Sequence, residues 1–330
     1  MTLRASSLFA SLPFATVPVA APGILAGALW ALALLLFAGR LPTRIRLRRA
    51  ALPLGALALL AAGSALAARL SSRMTVVFFS VGQGDAALVR FPGGSSMLVD
   101  AGGSLFGTPV RDPGAADLLP ALAELGVARL DRVVLTHPHP DHAGGLFTLL
   151  ERIPIGELWL TGEPGDDGLG DAVAAAAGRR GIAARVPAPG AIDAGGVRLE
   201  VLAPARWDPE RSTNDNSIVL RLVHGGVSLL LAGDIEAAAE AGLAQGGQEL
   251  GATLLKAPHH GSRTSSTDAF LRRVRPRHVV FCVGAANPFG FPHRDVVERY
   301  REAGCRQWRT DQGAVIAQSD GRELLVEQWR

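Results

Sequence analysis

The sequence predicts a layered α/β domain carried behind two membrane-spanning helices. Three features predict it. Two nearly charge-free apolar segments occupy the first seventy residues, short strands punctuated by glycine begin after Arg73, and a histidine–aspartate cluster sits where one strand ends.

The anchor comes first. Of 330 residues, 48% are hydrophobic and the mean hydropathy is +0.24, high for a wholly soluble chain; the excess is concentrated in residues 17–39 and 50–70. Each segment approaches the roughly 20 apolar residues that cross a bilayer as helix. A signal peptide has an apolar core of about 7–15 residues directly behind a basic stretch. The first segment is longer than that and starts well inside the chain. A soluble helical hairpin would need a polar face, and residues 32–37 and 57–62 show none. The loop between them carries Arg40, Arg44, Arg46, Arg48 and Arg49, and positive loops stay cytoplasmic. The expectation is therefore an anchor over 1–73 in the cytoplasmic (inner) membrane, with residues 74–330 forming a domain on its extracytoplasmic side, although Arg69 and Arg73 pull the other way. A net charge of only +3 excludes a polycation that coats nucleic acid indiscriminately.

After Arg73, residues 75–81, 86–91 and 95–100 read as three strands separated by Gly82-Gln83-Gly84 and Pro92-Gly93-Gly94. A helix is expected over 115–125, ended by Gly126, and a strand over 132–136. Further strands fall at 197–202, 217–223, 227–232 and 278–283, with a Gly225-Gly226 hairpin turn joining two of them. Residues 172–177 read as an exposed alanine-rich helix. Hairpin strands interleaved with helices suit sheets packed inside a layered domain. Cys282 lies in an apolar run and reads as a buried thiol. It is too far in sequence from Cys305 to form a metal-binding pair, and a disulfide between the two stays open.

The chemistry starts at His137-Pro138-His139-Pro140-Asp141-His142. Three imidazoles and a carboxylate within six residues offer nitrogen and oxygen ligands to a first-row metal, and the prolines stiffen the loop. Only eight histidines are present, so three in one loop is not a matter of composition. Asp234 follows an apolar strand; it either caps the helix from 235 onward or bridges two metals, and the upstream cluster favours the bridge. Lys256-Ala257-Pro258-His259-His260-Gly261-Ser262 adds two imidazoles. One completes a coordination sphere while the other is free to act as acid or base. The reading favours His259 as ligand and His260 as proton donor.

The pattern His137-x-His139-x-Asp141-His142 is similar to the signature of the metallo-β-lactamase superfamily. That resemblance implies an αββα sandwich with two divalent metal ions, zinc or manganese, at one edge. It places His137 and His139 on the first ion, Asp141 and His142 on the second, and Asp100 behind the site as a brace. From residue 75 onward the chain resembles the C-terminal domain of the ComEC branch, competence proteins that internalise DNA. The matching stretches are Val81-Gly82-Gln83-Gly84-Asp85-Ala86, Asn214-Asp215-Asn216-Ser217-Ile218-Val219-Leu220, Gly233-Asp234, His259-His260-Gly261-Ser262 and Asn287-Pro288-Phe289-Gly290-Phe291-Pro292-His293.

The chain departs from those patterns in three places. Between the first cluster and Asp234 the superfamily's further histidine is represented only by His224, a turn residue, so Asn214, Asp215 or Asn216 is left to fill that slot. His293 follows Pro292 where the branch has a histidine before the proline; it either substitutes or caps the helix near 295. Only two hydrophobic segments precede the domain, so the chain is not itself a channel. The resemblance implies a membrane-bound nuclease that degrades one DNA strand during uptake, with Asp141, His260 and His293 as the catalytic candidates. The chain reads either as a split or truncated product working with a separate channel subunit or as a free-standing anchored hydrolase. The run Arg272-Arg273-Val274-Arg275-Pro276-Arg277, with Arg263 and Lys256, offers phosphate contacts. The competing readings are a hydrolase of a small ester, thioester or lactone, and a non-catalytic DNA-binding part of a channel.

Overall fold

Apolar runs with no polar face need cover on both sides, and two facing sheets with helices outside them provide it. The computed structural model describes residues 24–38, 43–103, 111–165, 168–285 and 287–329. Its strands are, in chain order, β1 (Met74–Phe78), β2 (Ala87–Arg90), β3 (Ser96–Val99), β4 (Leu130–Val134), β5 (Ile155–Trp159), β6 (Ala183–Arg185), β7 (Gly190–Ala194), β8 (Val197–Ala203), β9 (Val219–His224), β10 (Val227–Leu231), β11 (Leu254–Lys256), β12 (His278–Phe281), β13 (Arg306–Arg309), β14 (Ala314–Ser319) and β15 (Leu324–Trp329). The helices are α1 (Ile24–Ala38), α2 (Thr43–Leu70), α3 (Leu119–Glu124), α4 (Pro140–Ala143), α5 (Leu146–Arg152), α6 (Leu169–Arg179), α7 (Ala237–Gln245), α8 (Asp268–Val274) and α9 (Arg294–Glu302).

The first sheet has eight strands in the order β15-β14-β1-β2-β3-β4-β5-β6; the second has seven, in the order β13-β12-β11-β10-β9-β8-β7. Alternation along the strands sorts their side chains between two layers. Met74, Val76, Phe78, Val89 and Met97 of the first sheet and Leu199, Leu220, Leu222, Leu229 and Leu254 of the second share one core between the sheets. The opposite face of the second sheet, with Leu230, Leu255, Val279 and Phe281, packs against Leu243, Phe270, Leu271, Val296 and Tyr300 of α7, α8 and α9. Each fully buried Leu or Phe in such a layer contributes about 1.5–3 kcal/mol. Along α6, Val173, Ala176 and Ala177 are buried, so this alanine-rich helix, expected to be exposed, instead has one covered face.

Strand pairing explains where the site lies. β3 and β4 run parallel, as do β10, β11 and β12. Their C-terminal ends therefore emerge along common edges, where ligands collect in open α/β sheets. Several expected strands run past the observed ones at these ends: 75–81 against Met74–Phe78, 132–136 against Leu130–Val134, 278–283 against His278–Phe281. The apolar runs continue because the loops beyond the ladders are themselves buried, as at Leu135, Ala232 and Val283.

The described residues fall into two compact units, one drawn from Met1–Leu66 with Pro120–Ala128 and the other from Ala67–Leu119 with Arg129–Arg330. The expected span over 50–70 lies within α2. The expected span over 17–39 is covered by α1 only from residue 24, and 17–23 and 39 lie outside the described residues. Among the described residues, no helix is long and apolar enough to cross a membrane.

Candidate metal centre

Asp100 stands just beyond β3 with a left-handed backbone (φ 58°), which turns its carboxylate back over the neighbouring strand end. There it accepts hydrogen bonds from the Thr136 amide and hydroxyl, both at 2.8 Å, and from His142 Nδ1 at 2.9 Å. An ionised carboxylate only accepts, so the His142 ring carries its proton on Nδ1 and presents Nε2 to the other side.

The stretch after β4 delivers the histidines. His137 is fully buried, with Nδ1 within 3.1 Å of the Thr136 hydroxyl and 3.2 Å of the Ser217 hydroxyl, and Nε2 3.1 Å from His139 Nδ1. Burial, joined by the neighbouring His142, pushes its pKa well below the ordinary histidine value, which leaves a neutral ring able to ligate. His139 flanks α4, whose first residue Pro140 is preset for a helix start. Asp141 and His142 are buried in that turn. Gly84 makes room for it: a Cβ there would fall on the Asp141 carbonyl oxygen, and the Asp85 amide donates to that oxygen at 3.2 Å.

Asp234 arrives from β10. Its amide donates to the Ser217 hydroxyl at 3.1 Å, and its Oδ1 accepts from Lys256 Nζ at 3.0 Å. Lys256, at the end of β11, also pairs with Asp85 and donates to the Gly233 carbonyl. Burial opposes charge on this amine, but Asp234 and Asp85 outweigh it and hold the pKa above the ordinary lysine value. Burial likewise opposes ionisation of Asp234, and His260, Lys256 and His142 more than offset it, so the carboxyl stays ionised. Its second oxygen, Oδ2, lies 3.2 Å from His142 Nε2 and 3.0 Å from His260 Nε2, and His260 Nε2 is 3.2 Å from Asp141 Oδ2.

One ligand atom each from Asp141, His142, Asp234 and His260 lie within 4.8 Å of one another, all buried. Close as they are, the Nε2 atoms of His142 and His260 and the Oδ1 of Asp141 meet no partner at hydrogen-bonding angles among the described residues. Buried polar atoms in that condition normally cost about 1–3 kcal/mol each. Donors that converge on a common point rather than on one another fit a divalent ion, and two imidazoles with two carboxylates are a donor set that first-row metals accept.

A family model of the metallo-beta-lactamase superfamily matches residues 80–284, more than half of the chain. The chain belongs to the metallo-beta-lactamase superfamily. Among curated proteins it is 31% identical over 261 residues to ComE operon protein 3 of Bacillus subtilis, an alignment covering 75% of this chain and 33% of that protein. It is 32% identical over 250 residues to competence protein ComA of Neisseria gonorrhoeae, covering 75% and 32%. Both are ComEC-type competence proteins, and the chain spans about a third of their length. It is also similar to the solved metallo-beta-lactamase fold protein YhfI from Bacillus subtilis, at 14% identity and a TM-score of 0.44, with 71% of this chain and 95% of that one covered.

In this metallo-beta-lactamase domain the two histidines after β11 face different neighbours. His260, expected outside the coordination sphere, joins the carboxylates, with its Nδ1 2.9 Å from the Cys282 carbonyl oxygen and 3.1 Å from Asp85. His259, expected to be the ligand, turns to Glu236 Oε1 at 3.0 Å. Both are non-glycine residues in left-handed backbone (φ 46° and 54°), a strained arrangement that splays adjacent rings apart and is found where a site requires it. His293, a catalytic candidate, instead caps α9 by accepting from the Asp295 amide, and it contacts Arg263.

The superfamily's missing histidine is not replaced by Asp215 or Asn216. Asp215 accepts from the Glu236 and Ala239 amides at the start of α7, and Asn216 is tied to Asp208 and Ser212. Asn214 differs: it shares a cavity with His139, and its buried Oδ1 meets no hydrogen-bond partner among the described residues. His224 is a structural residue, bonded to the Ser319 hydroxyl. Asp85 stands in one of the stretches that carry the resemblance, yet the sequence does not single it out as a site residue, because a lone aspartate beside a glycine turn reads as a turn residue. Cys282 and Cys305 are both free and buried. Lys256 is buried and paired, so it does not offer the phosphate contact expected of it, and Arg273 is committed to the Ala244 and Gln248 carbonyls.

Proposed function

We propose that the chain is a membrane-anchored, metal-dependent phosphodiesterase that degrades one strand of DNA during uptake. The convergence of Asp141, His142, Asp234 and His260 on one point beside His137 and His139 carries this reading. In this assignment His137 and His139 would hold one divalent ion, zinc or manganese, and Asp141, His142 and His260 the other, with Asp234 serving both. Such a pair supplies Lewis acidity, a hydroxide nucleophile at neutral pH and a clamp on both oxygens of the displacement.

The remaining groups hold and move protons. Asp100 fixes the His142 tautomer, and Lys256 keeps Asp234 ionised through the oxygen turned away from His142 and His260. Glu236 accepts from His259 Nδ1 and so steadies the ring when both nitrogens carry protons; from that imidazolium the Nε2 proton goes to the departing oxygen, so in this reading His259 takes the acid role first assigned to its neighbour.

The named competence relatives support DNA uptake as the setting, with a channel subunit as partner in this reading. Exposed Leu25, Trp30, Leu34, Leu35, Leu52 and Leu59 on α1 and α2 support contact with lipid for residues 1–73, and the arginine-rich loop supports an extracytoplasmic domain over 74–330. Arg272, Arg275 and Arg277 line a cavity of about 630 Å³ at the N-terminal end of β12 and offer cations to a DNA backbone that runs beyond the metal centre.

The test is hydrolysis by the full chain, loaded with zinc or manganese in detergent. Single- and double-stranded DNA, a lactone and a thioester are the substrates, and Asp234→Asn is the control. The proposal expects metal-dependent DNA cleavage that the variant loses. Cleavage of the lactone or thioester with DNA untouched would replace it with the small-molecule reading.

A further inference from the structure

The imidazoles of the centre form a row. Ring centroids step 4.7 Å from His139 to His137, 4.1 Å to His142 and 5.4 Å to His260. At the His139 end lies a cavity of about 500 Å³ lined by Glu163, Trp207, Arg211, Ser212 and Asn214, within the size range of ligand pockets. At the His260 end Phe291 stacks on the ligand ring at 6.3 Å and 25°, and Phe289 stacks on Phe291 at 5.3 Å and 18°.

Among the described residues after 70, the exposed large hydrophobic side chains are Val186, Ile192, Trp207, Phe289 and Leu325. Only two of these are aromatic, each 36% exposed, and they sit at the two ends of the imidazole row. Aromatic residues make up only 5% of the chain, so two solvent-facing rings at one site are not a by-product of composition. Among the described residues, neither ring touches a metal-ligand candidate in a ring contact: Trp207 lies in the wall of a cavity, and Phe289 stacks on Phe291.

We propose that Trp207 and Phe289 are stacking platforms for nucleobases on either side of the phosphodiester to be cut, which makes unpaired strand the preferred substrate. This inference rests on the nuclease reading above. Bases of a duplex already stack on one another and present edges rather than faces, whereas an unpaired strand can splay successive bases onto separate rings. Arg211 lines the same cavity as Trp207, its Nε 3.5 Å from the exposed Asp208 carboxylate, and offers a guanidinium to a backbone phosphate there.

The experiment uses the full chain in detergent with single-stranded DNA, duplex of the same sequence, and an abasic strand that keeps only sugar and phosphate. Removing one stacking ring is expected to raise KM for the single strand about fivefold to a hundredfold in Trp207→Ala and in Phe289→Ala, with metal content and kcat near wild type. Duplex and abasic strand should respond little, and Phe289→Trp should restore KM. Wild-type KM in both alanine variants, with DNA still cleaved, overturns the inference while leaving the nuclease reading intact. If the wild-type chain cleaves no DNA, the nuclease reading fails, and anisotropy of labelled strands bound to Asp234→Asn decides the stacking. Tighter binding of the base-bearing strand that Trp207→Ala or Phe289→Ala abolishes supports it, and equal binding of the two strands overturns it.

Discussion

Asp100 and His142 stand 42 residues apart in sequence and meet through one buried contact, His142 Nδ1 donating to Asp100 Oδ2 at 2.9 Å. It fixes the tautomer that leaves Nε2 available to a metal. Partners of this kind typically account for about 10–100-fold in metal affinity. Asp100→Ala is expected to weaken metal binding at the second position by that factor, as read by competition with a chromophoric chelator. Unchanged affinity would mean that the backbone alone orients the ring.

The neighbouring histidines make a paired prediction. His260→Ala should lower metal content, because His260 is among the converging donors, whereas His259→Ala should keep its metal and lose kcat. Elemental analysis with steady-state kinetics separates the two. Metal loss in His259→Ala and retention in His260→Ala would restore the assignment the sequence suggested.

Lys256 neutralises Asp85 and Asp234 in a dry interior. Removing one partner of a buried pair leaves an uncompensated charge and typically costs about 3–5 kcal/mol. Lys256→Met should destabilise the metal-free domain on that scale in urea unfolding, and adding Asp85→Asn should recover part of the loss. A loss below about 1 kcal/mol would show that water reaches the carboxylates.

In the metal-free protein, burial opposes charge on His142 and His260, but Asp234 with Asp100 in one case and Asp85 in the other raises both pKa values well above the ordinary 6.5. A raised histidine pKa stabilises the fold fully below about pH 6.5, the unfolded value, and that contribution fades as pH climbs through the folded value. With chelator present, the urea midpoint should therefore fall as pH is raised above about 6.5. With zinc present the fall should be suppressed, since the metal binds the deprotonated rings. A chelated domain whose midpoint rises over that interval would contradict the assignment.

Under the proposed DNA reading the test falls on Arg272, Arg275 and Arg277, since Arg273 is occupied by backbone carbonyls. Alanine at those three positions should weaken binding and flatten the salt dependence, by about 0.9 per lost contact on duplex and about 0.7 on single strand, with metal content unchanged. An unaltered slope would place the DNA path elsewhere.

How much was legible in the sequence follows from the range over which each feature is encoded. His137 to His142 was readable because three imidazoles and a carboxylate occupy one short loop, and Asp234 because it ends an apolar strand; the structure gathers Asp141, His142 and Asp234 into one cluster with His260. The two-sheet α/β architecture was readable for the same local reason: strands and turns are written in runs a few residues long.

Tertiary structure decided what depends on distant partners. Asp85 reaches His260 and Lys256 only because β10 to β12 are parallel and end beside the loop after β1. Asp215 became a cap for α7 rather than a ligand because the Glu236 amide lies within 2.7 Å of it. The different directions of the His259 and His260 rings turn on two left-handed residues held by the Gly233 and Cys282 carbonyls, groups that lie on other strand ends and outside the motif itself. Residue types and strand ends are local properties and survive in the sequence; the direction of a side chain is set by long-range hydrogen bonds and packing, and exists only once the chain has folded.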